Sequence, residues 1–274
     1  MLAGKAALLR YFLSENHRGG VRHRIRVSAV SAVSAYPFVS AAPYPRSVLI
    51  WLLGIAATIA ILSTTAFVLP ELTGMRTIKP QVDLNGEGNV AAWYGSTLWL
   101  LSGGIAALIS VARRTDRDSF ASHWLGIAAV CVFLSIDEAA LIHETMGYAL
   151  SRMVLDRVPQ LDFDGGWVYS WMYYGVAFVV VFLVVFRRFL MHLPRRTFLA
   201  MVFAGPVFLA GALGVESVSA AIENGNFTSP GVTTWAALIA AEEGLEMAGV
   251  ALFVYALLSY VASCEVKLAL PVRE

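Results

Sequence analysis

Charge is scarce in this chain. Only 14% of its 274 residues are charged and 58% are hydrophobic, against roughly a quarter charged in a soluble domain. With a mean hydropathy of +0.68, that balance argues against a water-soluble globular protein and for a polytopic membrane protein. Cysteine is scarce as well. Cys131 and Cys264 stand far apart and no CxxC occurs, which argues against a structural disulfide, a dithiol redox centre and a thiol–quinone enzyme. No apolar run contains a lysine to hold retinal, so a rhodopsin is disfavoured. There is no internal repeat, no second folded domain and no nucleic-acid motif. The net charge of +1 points to no acidic partner.

Long apolar runs are what the chain does have. Runs of roughly 20 residues suffice to cross a bilayer as helices. Six are read here, at Val48–Leu69, Val90–Ala112, His123–Thr145, Trp167–Phe186, Phe198–Ile222 and Thr233–Ala262. The expected fold is all-α, a six-helix transmembrane bundle over residues 48–262 between a basic cytoplasmic tail (1–47) and a short C-terminal cytoplasmic tail (263–274). Lysine and arginine set its orientation. With both termini inside, 16 basic residues fall on the inner side and only Arg76, Lys79, Arg152 and Arg157 outside. That is the bias of an N-in, C-in protein. Within the first tail, Val27–Ala42 follows a basic stretch and ends in small residues, as a signal peptide does. Its serines and Pro37 favour a basic tail lying on anionic headgroups instead.

Three of the apolar runs carry acids and no lysine or arginine. Asp137, Glu138, His143 and Glu144 fall in the third, Glu216 in the fifth, and Glu242, Glu243 and Glu246 in the sixth. Ionisable groups at membrane depth are costly and mark working sites by default. At 1.5 Å per residue, Asp137, Glu138 and Glu216 lie about 21–27 Å from the inner ends of their helices and Glu242, Glu243 and Glu246 about 14–20 Å from the outer end of theirs, overlapping levels between the midplane and the outer surface, with His143 and Glu144 at the outer interface. Glu242, Glu243 and Glu246 share one sector of about 100°. Asp137 and Glu144 are in line on a regular helix, and so are Glu216 and Glu223. Ala236, Ala240, Gly244 and Ala248 form a small-residue stripe that favours close helix packing, and Gly205–Pro206 predicts a kink below Glu216.

So many carboxyls at low dielectric must take up protons or bind cations. Oxygen donors with one imidazole suit a divalent ion such as Mn, Fe, Zn or Ca. The expected ligands are Glu138, His143, Glu144, Glu216, Glu243 and Glu246, with Asp137 and Glu242 in acid–base or supporting roles. The Glu-x-x-His pairs of dinuclear bundle sites are incomplete here, because His143 is five residues after Glu138 and off-face on a regular helix. Glu223, His123 and His192 are expected at the interfaces. Trp93, Tyr94, Trp124, Trp167, Tyr169, Trp171, Tyr173 and Trp235 read as belt anchors near span ends. The loop 83–89 (DLNGEGN) lacks the full ligand spacing of a calcium loop and reads as a turn with Asn89 capping the next helix.

The segments DLNGEGN…W (83–93), LSIDEAALIHE (134–144) and EEGLEMAG (242–249) resemble bacterial multi-pass inner-membrane proteins of uncharacterised function, a resemblance that implies a bacterial inner-membrane setting and no activity. A weaker likeness, to alkaline ceramidase and adiponectin-receptor-like hydrolases, implies zinc held between membrane helices. Those proteins use several His with Ser and Asp, whereas this chain offers only His143 at the right level. The expected function is a metal-dependent membrane enzyme acting on a lipid or lipid-linked substrate, a hydrolase or an oxidoreductase. The alternatives are a proton- or cation-coupled transporter or channel, and a structural or assembly subunit. Oligomeric state is left open.

Overall fold

A computed structural model describes residues 44–158, 171–223, 225 and 227–263. These belong to the compact unit Ala41–Glu274. The readings of the N-terminal tail and of Trp167, Tyr169 and Cys264 fall outside the described residues.

The described chain is helical: α1 (Pro45–Val68), α2 (Met75–Val82), α3 (Val90–Thr115), α4 (Ala121–Ala140), α5 (Ile142–Leu155), α6 (Trp171–His192), α7 (Arg195–Leu209), a π-helical turn (Ala210–Val215), α8 (Glu216–Glu223) and α9 (Val232–Ser263). Six segments are long and apolar enough to cross a membrane: α1, α3, α4, α6, the α7–π–α8 unit and α9. The protein is therefore an all-α, six-span membrane bundle. Asn89 caps α3 as expected, its side chain accepting from the amides of Ala91 and Ala92. Its own amide nitrogen bonds the carbonyls of Asp83 and Gly86, and Asp83 accepts from the Asn85 amide. The loop thus spends its polar groups on closing a turn.

The 32-residue α9 is the central helix, touching α1, α3, α7, the π turn and α8. Apolar side chains gather in two clusters. One joins Ala106 and Ile109 of α3, Trp124 and Ile127 of α4, Phe186 and Phe189 of α6, and Leu257 and Tyr260 of α9. The other joins Ala56 and Ile59 of α1, Tyr94 and Leu98 of α3, and Met247 and Val250 of α9, with Trp99 packed against both. Two expected belt anchors therefore belong to the interior. Trp124 is 1% exposed, and Tyr94 is buried with its hydroxyl donating to the Leu52 carbonyl at 2.6 Å. Trp93 and Tyr173 are exposed at span ends, as belt residues are.

Helices α3 and α4 are clamped by a reciprocal serine pair. Ser96 Oγ donates to the Ser135 carbonyl and Ser135 Oγ to the Ser96 carbonyl, both at 2.8 Å. Helices α7 and α9 meet by a different device. A Cβ on Gly249 would fall 2.5 Å from the Phe208 nitrogen, and one on Gly211 would fall 2.5 Å from the Glu242 carbonyl oxygen. Within the expected stripe Gly244 makes no close approach, since nothing lies within 4 Å of a Cβ there, whereas Gly249, outside the stripe, does. Alanine suits a helix interior better than glycine by about 1 kcal/mol, but overpacking costs about 1–3 kcal/mol, and the obstructing atom is backbone. Gly249→Ala is therefore expected to lower the thermal midpoint in detergent, while Gly244→Ala leaves it unchanged or raises it. Equal midpoints for the two variants would contradict this packing.

Candidate functional site

The third span departs from the regular helix expected over His123–Thr145. Helix α4 ends at Ala140, Leu141 adopts the left-handed conformation (φ 50°, ψ 44°), and α5 starts at Ile142. Left-handed backbone costs a non-glycine residue roughly 1–2 kcal/mol. Asp137 offsets that. Its Oδ1 accepts from the His143 backbone amide at 2.7 Å, within the first turn of α5, and its Oδ2 sits 2.8 Å from His143 Nδ1. The break reverses the expected geometry. His143, off-face on an unbroken helix, folds back onto Asp137, while Glu144, expected in line with Asp137, is carried out to an exposed position.

The fifth span is also irregular. Helix α7 continues through Pro206, and the distortion falls later, in the π turn Ala210–Val215. A wider turn rotates all that follows relative to an α-helix, and such turns recur at functional sites. Here it delivers Glu216 toward α6, where the Trp171 indole Nε1 donates to Glu216 Oε1 at 3.0 Å. One turn on, Ser219 Oγ donates to Glu242 Oε2 of α9 at 3.0 Å. The Trp171 ring lies edge-on to the His143 ring, centroids 4.7 Å apart. Gly147 of α5 makes room for it, since a Cβ there would fall 2.6 Å from Trp171 Cβ.

Helix α9 supplies the middle of the cluster. Glu138, Glu216, Glu242 and Glu243 all lie within electrostatic reach of Glu246, and Glu138 and Glu216 within reach of Glu243. Glu138 reaches inward by lying on Gly95 of α3, where a Cβ would fall 2.5 Å from its Oε1. Of the eight expected site residues, the fold gathers Asp137, Glu138, His143, Glu216, Glu242, Glu243 and Glu246, all partly buried, and leaves Glu144 at the rim. Among the described residues, no three His, Cys, Asp or Glu side chains converge as a ready metal ligand set. The sequence reading missed Trp171, taken as a belt anchor, and Gly95, Gly211 and Ser219. A serine and two glycines in apolar helices carry no signal of their own. His123 packs among Phe120, Phe186 and Phe189, remote from the acids.

Residues 48–261 match the family model described as Domain of unknown function (DUF8692). The chain belongs to this family. No curated protein and no solved structure matches it. The matched span of DUF8692 begins inside α1 and ends inside α9, so it takes in every residue of the acidic cluster.

His143 lies beyond the spanning segment of α4. Burial opposes a charge on its ring. The Asp137 hydrogen bond and the charges of Asp137, Glu144 and Glu216 outweigh that, holding its pKa above the ordinary 6.5. Asp137→Asn keeps a good capping side chain but removes the carboxylate charge. In chelator-treated protein with labelled imidazoles, the His143 resonance is expected to titrate above free histidine, and to move down in pH in Asp137→Asn. Identical titrations for the two proteins would contradict the dyad.

Proposed function

We propose that this protein is a membrane-embedded cation centre serving a metal-dependent enzyme on a lipid or lipid-linked substrate. The setting proposed is a bacterial inner membrane, with both termini cytoplasmic and the acidic end facing outward. The observation that carries the reading is that Glu138, Glu216, Glu242 and Glu243 all lie within electrostatic reach of Glu246, on three apolar segments that contain no lysine, and no arginine beyond the first turn of α7. Charge of one sign at that density demands cations or protons.

The donor set fits a hard or borderline divalent ion: carboxylate oxygens with a single imidazole. With Nδ1 held by Asp137, His143 is left with Nε2 as its outward atom, the arrangement by which a carboxylate orients a ligating or proton-accepting histidine. Glu138, Glu216, Glu243 and Glu246 are the proposed ligands, joined by His143 through Nε2. Glu144 would join only if α5 turned inward. Such an ion, when bound, polarises an ester or phosphoryl oxygen or lowers the pKa of water. Asp137 orients His143, while Glu242, held by Ser219, is placed to keep or pass on a proton.

One observation favours a second reading. No three donors stand together as ligands among the described residues, so protons are an equally simple neutraliser, and a protonated cluster suits proton- or cation-coupled transport. Elemental mass spectrometry of detergent-purified protein separates the two. A metal centre is expected to hold about one or two divalent ions per chain, lost in the Glu216→Gln/Glu246→Gln double variant. A folded wild type free of metal after growth and purification without chelator would overturn the enzyme reading in favour of the protonated cluster.

A further inference from the structure

The opposite end of the bundle carries a recess, independent of the acidic cluster. The α3–α4 and α6–α7 turns meet there with the last turns of α9, around a cavity of about 230 Å³. Its walls are aromatic: Phe120, Trp124, Phe189 and Tyr260. The Trp124 and Tyr260 rings lie 4.6 Å apart, and the His192 ring lies 4.6 Å from Phe120. Arg113 forms part of the lining, with its guanidinium 5.2 Å from the Tyr260 ring centroid and its side chain 17% exposed. One acid, Asp118, is part of the lining, and a second, Asp116, stands beside it. Asp116 pairs with Arg113 at 3.2 Å and is mostly exposed, while Asp118 accepts from the Phe120 amide at 2.8 Å. Against them, six exposed arginines stand on the segments that adjoin the recess: Arg114 at the end of α3 and Arg117 just after it, Arg187 and Arg188 in the last turns of α6, and Arg195 and Arg196 in the first turn of α7.

We infer that this recess binds the phosphate headgroup of an anionic phospholipid, with Arg113 as its anchor. Three features select that class. At this end of the bundle arginines outnumber Asp116 and Asp118, which calls for an anion, and arginine matches phosphate oxygens bidentately. The recess lies where apolar spans end, the level at which headgroups sit, and basic pockets between spans hold anionic lipids. Its volume falls below the roughly 300–1,000 Å³ of sites that enclose a whole small molecule. It therefore suits a phosphate and a few glycerol carbons against Trp124 and Tyr260, with acyl chains left along the outside of α6.

The test uses the full chain purified in neutral detergent, with binding followed by native mass spectrometry and by thermal shift. Dihexanoyl phosphatidylglycerol is expected to bind saturably and raise the midpoint, while dihexanoyl phosphatidylcholine does so at least about tenfold more weakly, a difference of about 1.4 kcal/mol. Arg113→Gln is expected to abolish the preference and Arg113→Lys to keep part of it. His192→Ala, at an exposed lining position, gives a second reading should Arg113→Gln fail to fold, and is expected to weaken the preference. Equal binding of the two lipids, or an unchanged preference in both Arg113→Gln and His192→Ala, would overturn the proposal. Inorganic phosphate matching the effect at the same concentration would assign the recess to free phosphate and overturn the lipid assignment.

Discussion

The contact between α7 with its π turn and α9 governs the rest of the bundle. Gly249 lies against the Phe208 backbone and Gly211 against the Glu242 carbonyl, each at a distance that excludes a side chain. Two points of backbone contact, nearly two turns apart along α9, fix both the spacing and the tilt of the pair. Apolar side chains alone would not set that geometry, because in lipid the surroundings are as apolar as the partner and association rests on close packing. Once α9 is seated, Glu242 and Glu246 face the segment carrying Glu216. The same helix then closes against α1 and α3 through Met247 and Val250, so one glycine-mediated seam positions both the acids and an apolar core.

The cluster also depends on two backbone irregularities, and each is held by a polar side chain of the site. The turn at Leu141 is unfavourable for leucine, and Asp137 holds it by bonding both the backbone and the ring of His143. A capping interaction of this kind contributes about 1 kcal/mol, comparable to the cost of the left-handed residue. The π turn before Glu216 is held from the other side, by Trp171 on the carboxylate and by α9 on Gly211. In both places the group that stabilises the distortion belongs to the site, so changes in the protonation or ligation of these acids act directly on the backbone breaks.

The spans and the acids on them were legible in the sequence because both are matters of composition over a window. The cap at Asn89 was legible too, since a side chain bonding two or three residues ahead is a local event. What escaped has no local signature. LSIDEAALIHE contains neither glycine nor proline, so nothing in it announces a break at Leu141, and the residue that makes the break tenable is four positions upstream. Pro206 did mark a disturbed helix, but the strain emerges at Ala210–Val215, where Gly211 meets α9. Trp124 and Trp171 look alike in sequence as aromatics near span ends. Only the arrangement of helices buries one beneath Phe189 and Tyr260 and turns the other onto a carboxylate.

The distribution of charge along the bundle follows from the same physics that makes each end distinct. Carboxylates at one end and guanidinium groups at the other cannot neutralise one another, because the apolar cluster around Trp124, Phe189 and Leu257 lies between the arginine-rich turns and the acids. Over such a distance the attraction between exposed charges is largely screened by salt. Each end is therefore balanced from its own side of the bundle, by solvent and by ions or protons of the opposite sign. A bundle held together by internal ion pairs would need no such balance. The segregation of charge leaves each end to its own surroundings, and the atoms each end presents, carboxylate oxygens at one and guanidinium groups at the other, set the sign of the ions it attracts.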